Sequence, residues 1–165
     1  MSTVERVVDH AAIRDLLPQR YPMLLVDRVV QVRADGLTSV KAVSATEPCY
    51  RAIPAAAPTE SWAYPEALLV ESFGQSAALA WLLVGPADQR ERLTGGNLLP
   101  LFAGLRDVSF EGAAYPGDVL RNEVRLEHVS DGAAFASGEV LVGDRVIARF
   151  GSLIAVTRPG AELAG

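Results

Sequence analysis

The run from Pro65 to Val84, PEALLVESFGQSAALAWLLV, constrains the fold more than any other stretch. It is almost wholly apolar, Gly74 is its only turn-forming residue, and Gly85-Pro86 closes it. Pro65 suits a first helical turn, where a missing N–H costs nothing. A helix of this length spans about 30 Å. Being apolar on every face, it belongs inside a protein or inside a bilayer. The length also fits a single membrane span. The sequence beyond it, however, reads as packed β-sheet, so a buried central helix is expected and a membrane span is not. Glu71, Gln75 and Ser76 interrupt the apolar run. Glu71 and Gln75 are four apart and share a face. A carboxylate in apolar surroundings is expensive, and groups retained there are often functional.

The 165 residues predict one domain, spanning 1–165, large enough to bury about 70% of its unfolded surface. Fifteen basic against twenty acidic residues give a net charge of −5, with no basic run, which argues against nucleic-acid binding. The opening MSTVERVVDHAAIRD is charged and lacks an apolar core, so it does not read as a signal peptide. The one cysteine, Cys49, excludes an internal disulfide and suits a reducing cytoplasm, the expected location. With only His10 and His128 beside it, no zinc site is expected.

Val4 to Leu17 predicts a short helix ending before Pro18. Met23 to Val32 reads as a strand closed by Asp35-Gly36, and Leu37 to Ala45 as its hairpin partner against the central helix. Thr46 to Tyr64, with Pro48, Pro54 and Pro58, is a long irregular loop of the kind that serves as a lid or binding loop. Asp88 to Gly96 reads as a polar connection. Four strands then follow, near 98–110, 119–129, 134–142 and 145–156, with turns at Tyr115-Pro116-Gly117-Asp118, Ser130-Asp131-Gly132 and Gly143-Asp144. Strands in such quick succession are antiparallel. The sum is an α+β chain in the hotdog layout: a six-stranded antiparallel sheet wrapped around one long helix.

Along nearly its whole length the chain resembles the β-hydroxyacyl-acyl-carrier-protein dehydratases. The stretch from Ile13 to Val29, IRDLLPQRYPMLLVDRV, is similar to their opening LLPHRYPFLLVDRV. Glu47-Pro48 matches NEPFF, Glu71-Ser72-Phe73-Gly74-Gln75 matches EAxAQ, and Phe102-Ala103-Gly104-Leu105 with Pro116-Gly117-Asp118 matches FAGI…VPGD. The resemblance implies a hotdog dimer with two active sites at the subunit interface. Each site takes a histidine from the GHFPGxPxxPG segment of one subunit and an acid from the central helix of the other. It implies that Glu71 is this acid and Gln75 the helix glutamine. The substrate would be a 3-hydroxyacyl thioester on the phosphopantetheine of an acyl carrier protein, with no cofactor bound to the enzyme itself. The chemistry suits the residues: the α-proton needs a base, and the β-hydroxyl needs a proton to leave as water. A helix N-terminal N–H can polarise the thioester carbonyl.

The resemblance breaks where the histidine belongs. The local text is Glu47-Pro48-Cys49-Tyr50-Arg51-Ala52-Ile53-Pro54, one residue shorter than EPFFQGHFP. Aligned from Pro54 backwards, Ala52 takes the histidine's place; aligned from Glu47 forwards, Ile53 does. Neither moves a proton. The motif's last glycine corresponds to Glu66, which keeps the amide and adds a carboxylate.

Three functions follow from this pattern. The first is a non-autonomous dehydratase subunit, paired with a histidine-bearing homologue in a fatty-acid, polyketide or polyene pathway. A homodimeric thioesterase or isomerase using Glu71 alone is the second. The third is a non-catalytic subunit that binds an acyl chain or carrier protein, or stabilises a partner. Glu71 is the catalytic candidate, and Gln75, Glu66, Ala52, Ile53 and Tyr64 are substrate-binding candidates. Tyr50 and Trp62 either line an acyl tunnel or form a packed aromatic loop. Cys49 is a weaker nucleophile candidate, because no histidine lies near it in sequence. Arg20, Arg51 and Arg106 are candidates for meeting phosphopantetheine or the acidic carrier protein.

Overall fold

The computed structural model describes residues 7–95 and 98–159. In chain order the elements are α1 (His10–Leu16), β1 (Arg28–Arg33), β2 (Gly36–Ala42), α2 (Glu66–Val84), α3 (Ala87–Thr94), β3 (Leu98–Phe110), β4 (Val119–Ser130), β5 (Ala133–Val142) and β6 (Arg145–Pro159). Single turns of 3-10 helix, Pro48–Tyr50 and Thr59–Trp62, break up the loop before α2. The strands form one antiparallel sheet in the order β1-β2-β4-β5-β6-β3. This is the expected α+β hotdog, and α2 packs against all six strands.

By length and composition α2 would cross a membrane, but eleven of its residues are buried in this fold. Phe73 stacks on Phe150 of β6 with ring centroids 4.2 Å apart. The sheet makes room for Phe73 at Gly138, where a Cβ would lie 3.0 Å from the Phe73 ring and overlap the Glu123 carbonyl oxygen. Ser72 and Ser76 carry a buried polar contact to the sheet. Asn122 Nδ2 of β4 donates to Ser72 Oγ at 3.0 Å and to Ser39 Oγ of β2 at 3.3 Å, and Ser39 Oγ lies 2.7 Å from Ser76 Oγ. These buried bonds would be lost if the helix turned about its axis, so the network fixes the rotation of α2, although Asn122 Oδ1 itself has no partner among the described residues.

Several boundaries differ from expectation, each for a local reason. The first helix begins at His10, not Val4, because the Asp9 side chain caps it by accepting from the Ala12 N–H at 3.0 Å. Residues 4–6 of that expected helix lie outside the described residues. The strand expected from Met23 begins only at Arg28, because the backbone at Met23 and Leu25 bonds to a side chain of α2 and not to a neighbouring strand. The stretch read as a polar connection is helix α3. Its sequence ADQRERLT has good helix formers but no apolar period. Only Leu93 is buried, and the rest is held by Trp81 Nε1 donating to Gln89 Oε1 at 3.0 Å and by Arg90 bonding the Leu83 carbonyl.

Candidate active site

Glu71 lies in the second turn of α2 and is half-buried. Gln75, one turn further on, is 1% exposed. Gln75 Nε2 donates to Glu71 Oε1 at 2.8 Å and to the Met23 carbonyl at 2.6 Å, while Gln75 Oε1 accepts from the Leu25 N–H at 2.8 Å. The two polar residues read from their spacing therefore form one unit. Gln75 orients the carboxylate and ties the Met23–Leu25 segment to the helix. No third residue bonds the second carboxylate oxygen among the described hydrogen bonds, so Glu71 keeps capacity for a substrate.

Glu71 opens onto a cavity of about 200 Å³ between α2 and the β6–β3 side of the sheet. Ala67, Val70, Glu71, Gly74, Gln75 and Ala78 line it from the helix, Pro100, Leu101 and Phe102 from β3, and Leu153 and Ala155 from β6. One carboxylate beside a largely apolar lining has the chemistry to exchange a proton with a group placed next to it. At the Ala67 end of the cavity the Glu66 and Ala67 amides have no partner among the described hydrogen bonds, whereas the Leu68 and Leu69 amides bond the Pro65 carbonyl at 2.9 and 3.1 Å; amides left open at a helix N-terminus can stabilise a developing oxyanion. The β3 wall is a sheet edge. Phe102 is 55% exposed there, and the outer backbone groups of β3 have no strand beside them among the described residues.

Gln19 also lines this cavity, and its Oε1 is enclosed without a hydrogen-bond partner among the described residues. Sequence reasoning missed it, although it stands inside the opening signature, at the one polar position that differs from LLPHRYP.

The other candidates lie elsewhere in this chain. Ala52 is exposed, and Ile53 is half-buried and packs on the core; neither lines the Glu71 cavity. Glu66 is exposed in the first turn of α2. Tyr64 and Tyr50 are core residues, 2% and 4% exposed, and the Tyr50 ring lies 5.5 Å from that of Trp62. Both hydroxyls are enclosed without a partner, and burial first, then nearby acidic groups, push both phenols well above their usual range. Beside them the buried pair Lys41–Glu47, 2.9 Å apart, ties the loop to β2. Cys49 lines a separate cavity with Met23, Leu25 and Arg51. Burial and the Glu47 carboxylate raise its thiol above the ordinary value, which opposes a nucleophilic thiolate. Arg20, Arg51 and Arg106 are exposed. His10, at the start of α1, and His128, in β4, are exposed and do not line the Glu71 cavity. Among the described residues no cluster of His, Cys, Asp and Glu is suited to hold a metal ion.

A FabA-like domain model matches residues 17–151. The chain is 32% identical to the 3-hydroxyacyl-acyl-carrier-protein dehydratase FabZ of Pseudothermotoga lettingae over 146 residues, covering 88% of this chain and 94% of the relative. It is 36% identical to FabZ of Chloroflexus aggregans over 149 residues, 89% of this chain and 94% of that one. Among solved structures it is similar to the dehydratase heterocomplex ApeI:P of Xenorhabdus doucetiae, with a TM-score of 0.69, 19% identity, and coverage of 92% of this chain and 93% of that chain.

Proposed function

This chain belongs to the FabA-like family that includes the FabZ dehydratases, and from that premise we propose that it is the acid-bearing subunit of a two-chain 3-hydroxyacyl-acyl-carrier-protein dehydratase. The observation that carries the reading is the Glu71–Gln75 pair in an apolar cavity that no histidine of this chain lines. Elimination of water needs two proton movements. A base takes the α-proton, the electron pair forms the α–β double bond, and the β C–O bond breaks as the hydroxyl collects a proton. Glu71 supplies that proton, and the open Glu66 and Ala67 amides at the start of α2 stabilise charge on the thioester oxygen. The base is a histidine on a homologous subunit that packs along the open β3 edge, beside Pro100, Leu101 and Phe102. The cavity's place at that edge supports a site completed from outside. A solved structure of similar fold is a dehydratase heterocomplex, which agrees with pairing between different chains. The acyl carrier protein delivers the substrate, and a polyketide or polyene pathway is the proposed setting.

The test measures dehydration of 3-hydroxyacyl-carrier protein in three samples: this chain alone, a doubly tagged heterodimer with a histidine-bearing FabZ-type partner, and that heterodimer carrying Glu71→Gln. The expected result is no turnover alone, turnover by the heterodimer, and a loss of about 100-fold or more with Glu71→Gln. Full activity of the Glu71→Gln heterodimer refutes the shared site. Release of free thiol from acyl thioesters by this chain alone, lost with Glu71→Ala, would instead indicate a thioesterase.

A further inference from the structure

Gly74 stands in the interior of α2, in the wall of the Glu71 cavity, three residues beyond Glu71 and directly before Gln75. Glycine weakens a helix interior relative to alanine, so a glycine here calls for a reason. Packing among the described residues supplies none. A Cβ built on Gly74 meets a single atom, Leu153 Cδ1, at 3.8 Å, which is ordinary van der Waals contact. At Gly138, by contrast, a Cβ would overlap the neighbouring strand's backbone. The methyl absent from Gly74 is therefore volume left to the cavity and not to another element of the fold.

The helix face of the cavity runs from Ala67 past Glu71 and Gly74 to Ala78, about 16 Å along the axis. On the acyl-channel reading above, on which this inference rests, the thioester carbonyl lies toward the helix N-terminus and the β-carbon at Glu71. The next carbon of the chain then passes Gly74. We infer that Gly74 sets the width of the channel beside the carbon following the reacting pair, and so admits acyl chains branched at that carbon. An added methyl at this position falls where the branch would sit. Apolar pockets discriminate one methylene by about 10-fold or more, so the effect is measurable as a ratio.

The test uses two isomeric, unreactive probes, hexyl-pantetheine and 4-methylpentyl-pantetheine thioethers, titrated calorimetrically into the full chain, alone and with its FabZ-type partner. Wild type and Gly74→Ala are compared, with thermal melting of each. The inference expects the preference for the straight over the branched probe to rise about 10-fold in Gly74→Ala, while the melting temperature rises by about 2 °C or more. A preference that moves by less than about 2-fold overturns it. So does a fall in melting temperature, which would mean that packing of the helix requires the glycine. If neither probe binds wild type in either form, the acyl-channel reading itself fails and this inference falls with it.

Discussion

Replacing Gln75 by methionine keeps the length and most of the volume of the side chain while deleting three hydrogen bonds at once. The Leu25 N–H loses its acceptor at 2.8 Å, and Leu25 is 3% exposed, so water does not readily replace it. A buried donor left unmade costs about 1–3 kcal/mol. Loss of the donor to the Met23 carbonyl at 2.6 Å and to Glu71 at 2.8 Å adds to this, although the half-buried carboxylate recovers part of its share from water. Methionine's apolar transfer offsets some of the sum, leaving a net loss of about 2–3 kcal/mol. For a chain of this size that corresponds to about 4–12 °C in melting temperature. The assay is urea unfolding at one fixed protein concentration, since association contributes to apparent stability, combined with amide exchange at 23–25. The Leu25 amide is expected to lose protection beyond the global change, because its segment is released from α2 first. A loss below about 0.5 kcal/mol with unchanged Leu25 protection would refute the argument, since surface-like substitutions alone have effects of that size.

Two further predictions concern the loop before α2. Lys41→Met leaves Glu47 charged and enclosed, the two side chains being only 9% and 14% exposed, and is expected to cost about 3 kcal/mol. Lys41→Met with Glu47→Leu should recover most of that loss in urea unfolding; failure to recover would show that the ion pair is not what holds the loop. The buried phenols of Tyr50 and Tyr64 ionise later in the folded chain than in the unfolded one. The folded state therefore binds more protons above about pH 10, the ordinary tyrosine value, and stability falls as pH rises through that range. Because neither hydroxyl has a partner at hydrogen-bond geometry among the described residues, Glu47 being the acidic neighbour of Tyr64, Tyr50→Phe with Tyr64→Phe should leave neutral stability within about 1 kcal/mol and flatten the alkaline decline. An unchanged alkaline slope would rule these phenols out as its source.

What was legible in the sequence was what repeats along it. The apolar run of α2 and the closely spaced strands after it carry their own periodicity and turn residues, so the α+β layout and the four late strands read directly. The Glu71–Gln75 pairing was legible because two residues four apart on a helix must meet. What the sequence did not contain was any contact between distant segments. Met23 to Leu25 is apolar enough for a strand, and only the Gln75 amide, fifty residues away, takes its backbone groups out of the sheet. Helix α3 has no apolar period and exists because Trp81 and Leu83 offer it partners. Gln19 became a site residue only when the fold brought it to the cavity of Glu71. The tertiary structure also decided that this cavity lies on the β3 edge, away from Ala52 and Ile53. Strand order is set by pairing across the sheet, which no local pattern encodes. The type of each element thus followed from short-range spacing. Which backbone groups were left for side chains, and which residues share the cavity with Glu71, followed from long-range packing alone.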